Sequence, residues 1–245
     1  YATYHPYGLD VVGVETPEFT FEQEASNVLQ AVRSDGLTYP VVQDNRYGTW
    51  DAYQNQAWPA EYLIDAHGRV RHTQFGEGDY EQSEAAVRDL LYQAGVRDLP
   101  PPMTARAIMP SSGLATPETY LDDQRGQGFA QPLAPGVHYF PGVAKPALNE
   151  FALHGDWRIT SEFATPTAAG ASIQAGFQAA HAYLVLTSAD SVPRTVRVLL
   201  DGRPLGSVTV RQQRLYTLVS LRQAEFHVLT VDVPPGVQAY DFTFG

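Results

Sequence analysis

The chain has 245 residues, enough for one large domain or two ordinary ones, and its 44% hydrophobic and 18% charged content excludes wholesale disorder. It contains no cysteine, which excludes disulfides, thiolate metal sites and a cysteine nucleophile within these residues. The formal net charge of −11 is unevenly held: residues 1–100 carry 16 acidic and 6 basic side chains, whereas residues 136–245 carry eight of each, and neither part has the Lys/Arg stripe a nucleic acid requires.

The opening, Tyr1-Ala2-Thr3-Tyr4-His5-Pro6, has neither the basic nor the apolar region of a signal peptide. No apolar run anywhere reaches the roughly 18 residues that cross a bilayer. Leu9-Asp10-Val11-Val12-Gly13-Val14 reads as a buried strand. Thr20-Phe21-Glu22-Gln23 has capping-box spacing, and Phe21, Ala25, Val28, Leu29 and Val32 fall on one helical face that ends before Gly36. Tyr39 to Val42 is a short strand, and Tyr47 to Tyr53 a short helix. Glu61–Asp65 and Val70–Phe75 form a hairpin across Ala66-His67-Gly68-Arg69. A last helix starts at Asp79, with Gln82 three residues on, and stops at Gly95. Alternating strands and helices predict an α/β unit with a mixed sheet over residues 1–98.

Residues 99–135 read as a linker. Pro100-Pro101-Pro102, Pro110, Pro117, Pro132 and Pro135 forbid a long helix or a central strand there, and Ser111-Ser112-Gly113 and Gly126-Gln127-Gly128 add further breaks. A helical turn is expected at Thr116-Pro117-Glu118-Thr119. From 136 to 245 the pattern is all-β. Strand-length runs at 157–160, 172–175, 182–186, 195–200, 207–210, 215–219, 227–231 and 239–244 are separated by turns such as Asp201-Gly202 and Pro234-Pro235-Gly236. Short strands at regular spacing predict a β-sandwich or jelly roll.

The stretch Trp58-Pro59-Ala60-Glu61-Tyr62-Leu63-Ile64-Asp65 is the most informative. On the dipeptide alone, a trans proline opening an edge strand is the commoner arrangement. A proline entering a hairpin after a βα unit, however, resembles the cis-proline loop of thioredoxin-like folds. Together with Val11-Val12-Gly13-Val14-Glu15-Thr16-Pro17-Glu18-Phe19 and Phe75-Gly76-Glu77-Gly78-Asp79-Tyr80, it is similar to thioredoxin domains of the TlpA/ResA type. More narrowly, the whole chain resembles the C-terminal soluble part of DipZ-type, CcdA-fused thiol:disulfide interchange proteins. Thr116-Pro117-Glu118-Thr119-Tyr120 and Val196-Arg197-Val198-Leu199-Leu200-Asp201-Gly202 extend the likeness through the second half.

That resemblance implies α/β plus all-β architecture: an incomplete thioredoxin-like domain, then a β-sandwich resembling a carbohydrate-binding module. The family's Cys-x-x-Cys pair is missing, together with the first strand and the start of the helix that bears the pair. The sequence is therefore expected to be a fragment, inactive by itself. A natural redox-dead homologue is the rival reading. The resemblance implies no cofactor. Its partners would be protein disulfides and a membrane-embedded CcdA-like portion, in an extracytoplasmic setting that includes cytochrome c maturation.

Trp58 and Pro59 would line the redox site, Glu61 would follow on the strand, and Glu15 and Thr16 would leave the end of the neighbouring strand. Glu15 suits either a proton-transfer carboxylate or a solvated loop charge. In the second domain Trp157, Tyr139 and Tyr183 are candidate glycan contacts, although aromatics at strand spacing more often pack in a core. The seven histidines have no close metal-ligand spacing, so no metal site is expected. The alternative function is a non-catalytic carbohydrate- or protein-binding module.

Overall fold

The computed structural model describes residues 1–103 and 113–245. It divides into two compact units, Tyr1–Met109 and Pro110–Gly245. Pro110, Ser111 and Ser112 of the expected linker lie outside the described residues.

In the first unit, strand β1 (Gly13–Glu15) pairs in parallel with β2 (Val41–Gln43), Gly13 opposite Val41 and Glu15 opposite Gln43. The apolar run starting at Leu9 is longer than this ladder because Pro40, just before β2, has no amide to donate; its carbonyl takes the Gly13 N–H at 2.9 Å. The capping box is displaced from the expected Thr20–Gln23 pair. Glu22 reaches back to the amides of Phe19 at 3.0 Å and Glu18 at 2.6 Å. A 3-10 turn over Thr20–Gln23 therefore precedes α1 (Ala25–Ser34), where a single helix was expected. No residue of α1 is buried, and Leu29 on its apolar stripe is 48% exposed.

Helix α2 (Gly48–Ala52) leads to the antiparallel hairpin of β3 (Ala60–Ile64) and β4 (Val70–Phe75), with Glu61 opposite Gln74. Helix α3 (Tyr80–Gln93) closes the unit. Asp79, expected to cap it through its side chain, has a left-handed backbone, and its carbonyl takes the Gln82 and Ser83 amides at 2.9 and 3.0 Å. Gly95 ends the helix at φ +101°, a backbone that favours glycine. The two strand pairs share no ladder among the described residues. Val12, Val14, Val42, Ile64, Val70 and Phe75 are all exposed.

The second unit is antiparallel throughout its ladders. Its strands are β5 (Thr119–Tyr120), β6 (Gly136–Pro141), β7 (Phe151–Ile159), β8 (Ala164–Pro166), β9 (Ser172–Ser188), β10 (Arg194–Leu200), β11 (Arg203–Val210), β12 (Arg214–Asp232) and β13 (Val237–Phe244). They run in the order β11-β10-β12-β9-β13-β8-β7-β6, with β5 on β13 and a further pairing of β9 with β7. Two pairs of expected strands fuse: 172–175 with 182–186 in β9, and 215–219 with 227–231 in β12.

Gly176 explains the first fusion. Its amide donates to Glu150 at 2.9 Å and its carbonyl accepts from Asn149 at 2.7 Å, so the chain stays extended where a turn would otherwise fit. In β12 the register shift between Ser220 and Glu225 absorbs the intervening residues as a bulge.

Residues 113–135, within the expected linker, pack into this unit. Leu121 is fully buried in the core, and β5 pairs with β13 through Tyr120–Asp241 and Thr119–Phe242. The helical turn expected at Thr116 is absent. The Thr116 hydroxyl instead accepts the Gln178 amide and donates to Asn149, both at 2.8 Å, and so fastens the segment to β9. The core is aromatic at its centre. Phe242 lies 6.0 Å from Phe151 and 5.8 Å from Phe244, which stacks 5.6 Å from Phe177. Each such burial contributes about 1.5–3 kcal/mol.

Candidate functional site

In the first unit the end of β1 meets the loop that opens β3. The Trp58 indole Nε1–H donates to the Thr16 carbonyl at 3.0 Å. The Trp58–Pro59 bond is cis, and the Pro59 carbonyl accepts the Gly76 amide at 2.8 Å, tying the loop to the residue after β4. Trp58 remains 46% exposed while its ring packs 4.3 Å from Trp50 of α2. Glu15, Thr16, Trp58 and Pro59 thus share one end of the unit, with Glu61 exposed on β3 beyond them.

Asp44 holds this end together. It is buried; its carboxylate accepts the amides of Thr49 at 2.8 Å and Trp50 at 2.9 Å, and the buried Thr16 hydroxyl lies 3.5 Å away. Desolvation acts to raise the Asp44 pKa, but the Trp50, Thr49 and Gly48 amides outweigh it and hold the carboxyl below its ordinary range. Tyr47 adds a hydroxyl bond to the Pro17 carbonyl and an edge contact to Trp50 at 6.0 Å.

Glu15 is the electrostatic exception. Its Oε2 is buried and has no hydrogen-bond partner. Burial, reinforced by the negative Glu22 nearby and opposed by a bond from Gln43, pushes its pKa up to about 7. A carboxyl poised near neutrality at the end of a strand can accept or deliver a proton at physiological pH. Glu15 is half-buried on β1 rather than carried on a loop.

Asp44, Tyr47, Trp50 and Glu22 were not singled out from sequence. Asp44 had a signal, an acidic residue shortly before a predicted short helix. Trp50 had none, because ring-on-ring contact between residues eight apart is a tertiary fact.

The second unit does not assemble its three aromatic candidates. Trp157 is fully buried, its Nε1–H donating to His154 at 2.9 Å; it belongs to the core and has no face for a sugar ring, which corrects the expectation. Tyr139, on the outer strand β6, is 65% exposed. Tyr183 is half-buried in β9 and stacks on His181 at 6.0 Å. Tyr139 pairs with Asp156 on β7, whose His154 meets Ser172 at the start of β9. Tyr183 stands eleven residues further along, roughly 35 Å of extended strand, so the two tyrosines form no common platform.

The model of the family described as "Thioredoxin like C-terminal domain" matches residues 116–245. Protein DipZ of Mycobacterium bovis is 36% identical over 251 residues, covering 100% of this chain. The chain spans 35% of that protein's length. Thiol-disulfide oxidoreductase YkuV of Bacillus subtilis is 28% identical over 83 residues, 34% of this chain and 56% of that protein. Among solved structures, a family two carbohydrate esterase from Cellvibrio japonicus is 14% identical, with a TM-score of 0.36 over 44% of this chain and 33% of that one.

Proposed function

Since the chain belongs to the thioredoxin like C-terminal domain family and matches DipZ along its whole length, we propose that it is the partner-docking module of an extracytoplasmic thiol–disulfide oxidoreductase. In this reading the first unit is a thioredoxin-like domain that lacks its first strand and the start of its Cys-x-x-Cys helix. The second is a β-sandwich or jelly roll, serving glycan or protein binding. The open edges of β1 and β3, with Val12, Val14 and Ile64 exposed, support the first half: a strand between them would satisfy both. The thiols are supplied from outside these 245 residues.

The chemistry is a two-electron exchange. One thiolate attacks a substrate sulfur, the substrate S–S bond breaks and a mixed disulfide forms. The second thiol attacks that bond, leaving an oxidised Cys pair and a substrate dithiol that has gained two electrons and two protons, one from the second thiol and one from water. Glu15 takes the proton of the second thiol as it attacks and returns it to the departing substrate sulfur. A membrane-embedded CcdA-like portion restores the reduced pair, with cytochrome c maturation as one outlet.

The observation that carries this reading is the bond from Trp58 to the Thr16 carbonyl, which brings the Pro59 loop against the strand end that bears Glu15. To test it, the chain is joined at Tyr1 to a strand and helix start bearing Cys-x-x-Ser and mixed with a disulfide peptide. A trapped mixed disulfide is expected, formed about tenfold more slowly in Trp58→Ala, which loses substrate positioning. No trapping, or trapping indifferent to Trp58→Ala, contradicts the proposal. Absence of cysteine favours a second reading, a binding module on a redox-dead scaffold. The untrapped outcome is the one that reading predicts.

A further inference from the structure

The redox reading leaves open what kind of polypeptide the Trp58 loop receives, and the surroundings of that loop are chemically one-sided. Trp58 is 46% exposed, its indole N–H held by the Thr16 carbonyl and its ring packed against Trp50. A pinned, half-exposed indole is a good seat for an ammonium or guanidinium group, and little rotamer freedom is lost on contact.

Three carboxylates flank the loop and its Trp50 neighbour along the chain, on separate elements. Asp51 follows Trp50 in α2, Glu61 stands three residues after Trp58, and Glu77 follows Gly76, whose amide bonds the Pro59 carbonyl; all three are exposed. Glu77 accepts the Tyr80 hydroxyl, and Glu61 acts electrostatically on the same phenol, so these two carboxylates share one neighbourhood.

Of the six basic side chains over residues 1–100, three are engaged elsewhere. Arg71 is paired with Asp65 at 3.1 Å. Arg88 bonds Tyr4 and the Pro100 carbonyl, and Arg97 bonds the Tyr92 carbonyl. The other three are Arg33 in α1, Arg46 in the loop between β2 and α2, and Arg69 in the β3–β4 turn. Most of the chain's charge is in this half: 16 acidic against 6 basic residues over 1–100, beside an even balance over 136–245.

We propose that the partner segment docked at the Trp58–Pro59 loop is a cationic polypeptide, with one Lys or Arg over the face of Trp58 and its neighbours opposite Glu61, Glu77 and Asp51. This rests on the thiol–disulfide reading and adds the charge class of its substrate. Carboxylates so placed steer the approach of a basic chain and repel an acidic one, and salt weakens both effects.

The test uses the 245-residue chain and thiol-free peptides, so it does not depend on turnover. Calorimetric titration compares a Lys/Arg-rich, a Ser/Gly-rich and an Asp/Glu-rich peptide at low and high salt. The basic peptide is expected to bind about tenfold tighter than the acidic one at low salt, with the difference shrinking as salt rises. Glu61→Gln with Glu77→Gln, both at exposed positions that leave the fold intact, is expected to weaken the basic peptide about threefold. Trp58→Phe keeps a ring face and should bind better than Trp58→Leu. Equal affinity for basic and acidic peptides, or a preference untouched by the Glu61/Glu77 double variant, overturns the inference. Failure of the redox reading shows separately, as absence of mixed-disulfide trapping in the joined protein.

Discussion

Glu15 joins a strand end to a proton. Its folded pKa of about 7 stands above the ordinary 4.5, so between those values the folded protein holds a proton that the unfolded chain has released. Stability from this residue is complete below about pH 4.5 and is lost as the pH rises through 7. Glu15→Gln is therefore expected to flatten the pH dependence of unfolding in that window. Above pH 7 it should stabilise the first unit by about 1 kcal/mol once solvent screening is allowed for. Chemical denaturation at pH 5 and pH 8 checks the sign, and a carboxyl carbon titration by NMR reads the pKa directly; an ordinary value would remove Glu15 from the proposed proton transfer. At this scale the sequence was informative where chemistry is local. Trp58, Pro59 and the Glu15-Thr16 pair stand out by motif, whereas Trp157, a candidate glycan contact weighed against a core role, is core, because strand alternation alone does not tell which face is covered. Trp157→Ala should cost about 3–5 kcal/mol, read from the denaturation midpoint, through loss of packing.

Among the elements, those stabilised by their own residues were legible and those set by neighbours were not. The β3–β4 hairpin follows from its glycine-bearing turn and paired apolar runs, and α3 from its stripe and Gly95. The sequence predicts two strands, 172–175 and 182–186, where β9 runs unbroken through Gly176-Phe177-Gln178. Its ladder with β12, Gly176 opposite Val228 and Phe177 opposite His227, and the passage of residues 147–150 alongside it keep the chain extended. A Cβ on Gly176 would lie 1.9 Å from the Ala147 carbonyl oxygen. Gly176→Ala is thus expected to destabilise the β unit by about 1–3 kcal/mol through forced backbone displacement, measured by equilibrium denaturation. A neutral result would mean that the 147–150 segment yields freely. The 113–135 stretch was read as linker for the same reason: its prolines forbid long elements, but Leu121 and β5 are held by β13, a partner more than a hundred residues away.

At the scale of the whole molecule, the two units differ in how much they contain of themselves. The second has a continuous core from Leu121 to Phe244 and buries its aromatic centre fully. The first leaves valines on both strand pairs exposed, carries most of the negative charge and gathers its polar site at one end. In the proposed reading these facts belong together: the first unit is the docking half of a redox site whose thiols come from outside the 245 residues. The measurement that tests it most directly is kcat/KM for insulin disulfide reduction by the chain joined at Tyr1 to a strand and helix start carrying Cys-x-x-Cys. Turnover above the dithiol background is expected, lowered about tenfold by Trp58→Ala through lost positioning. A folded joined protein that reduces insulin no faster than the background, or equally fast with and without Trp58, would contradict it.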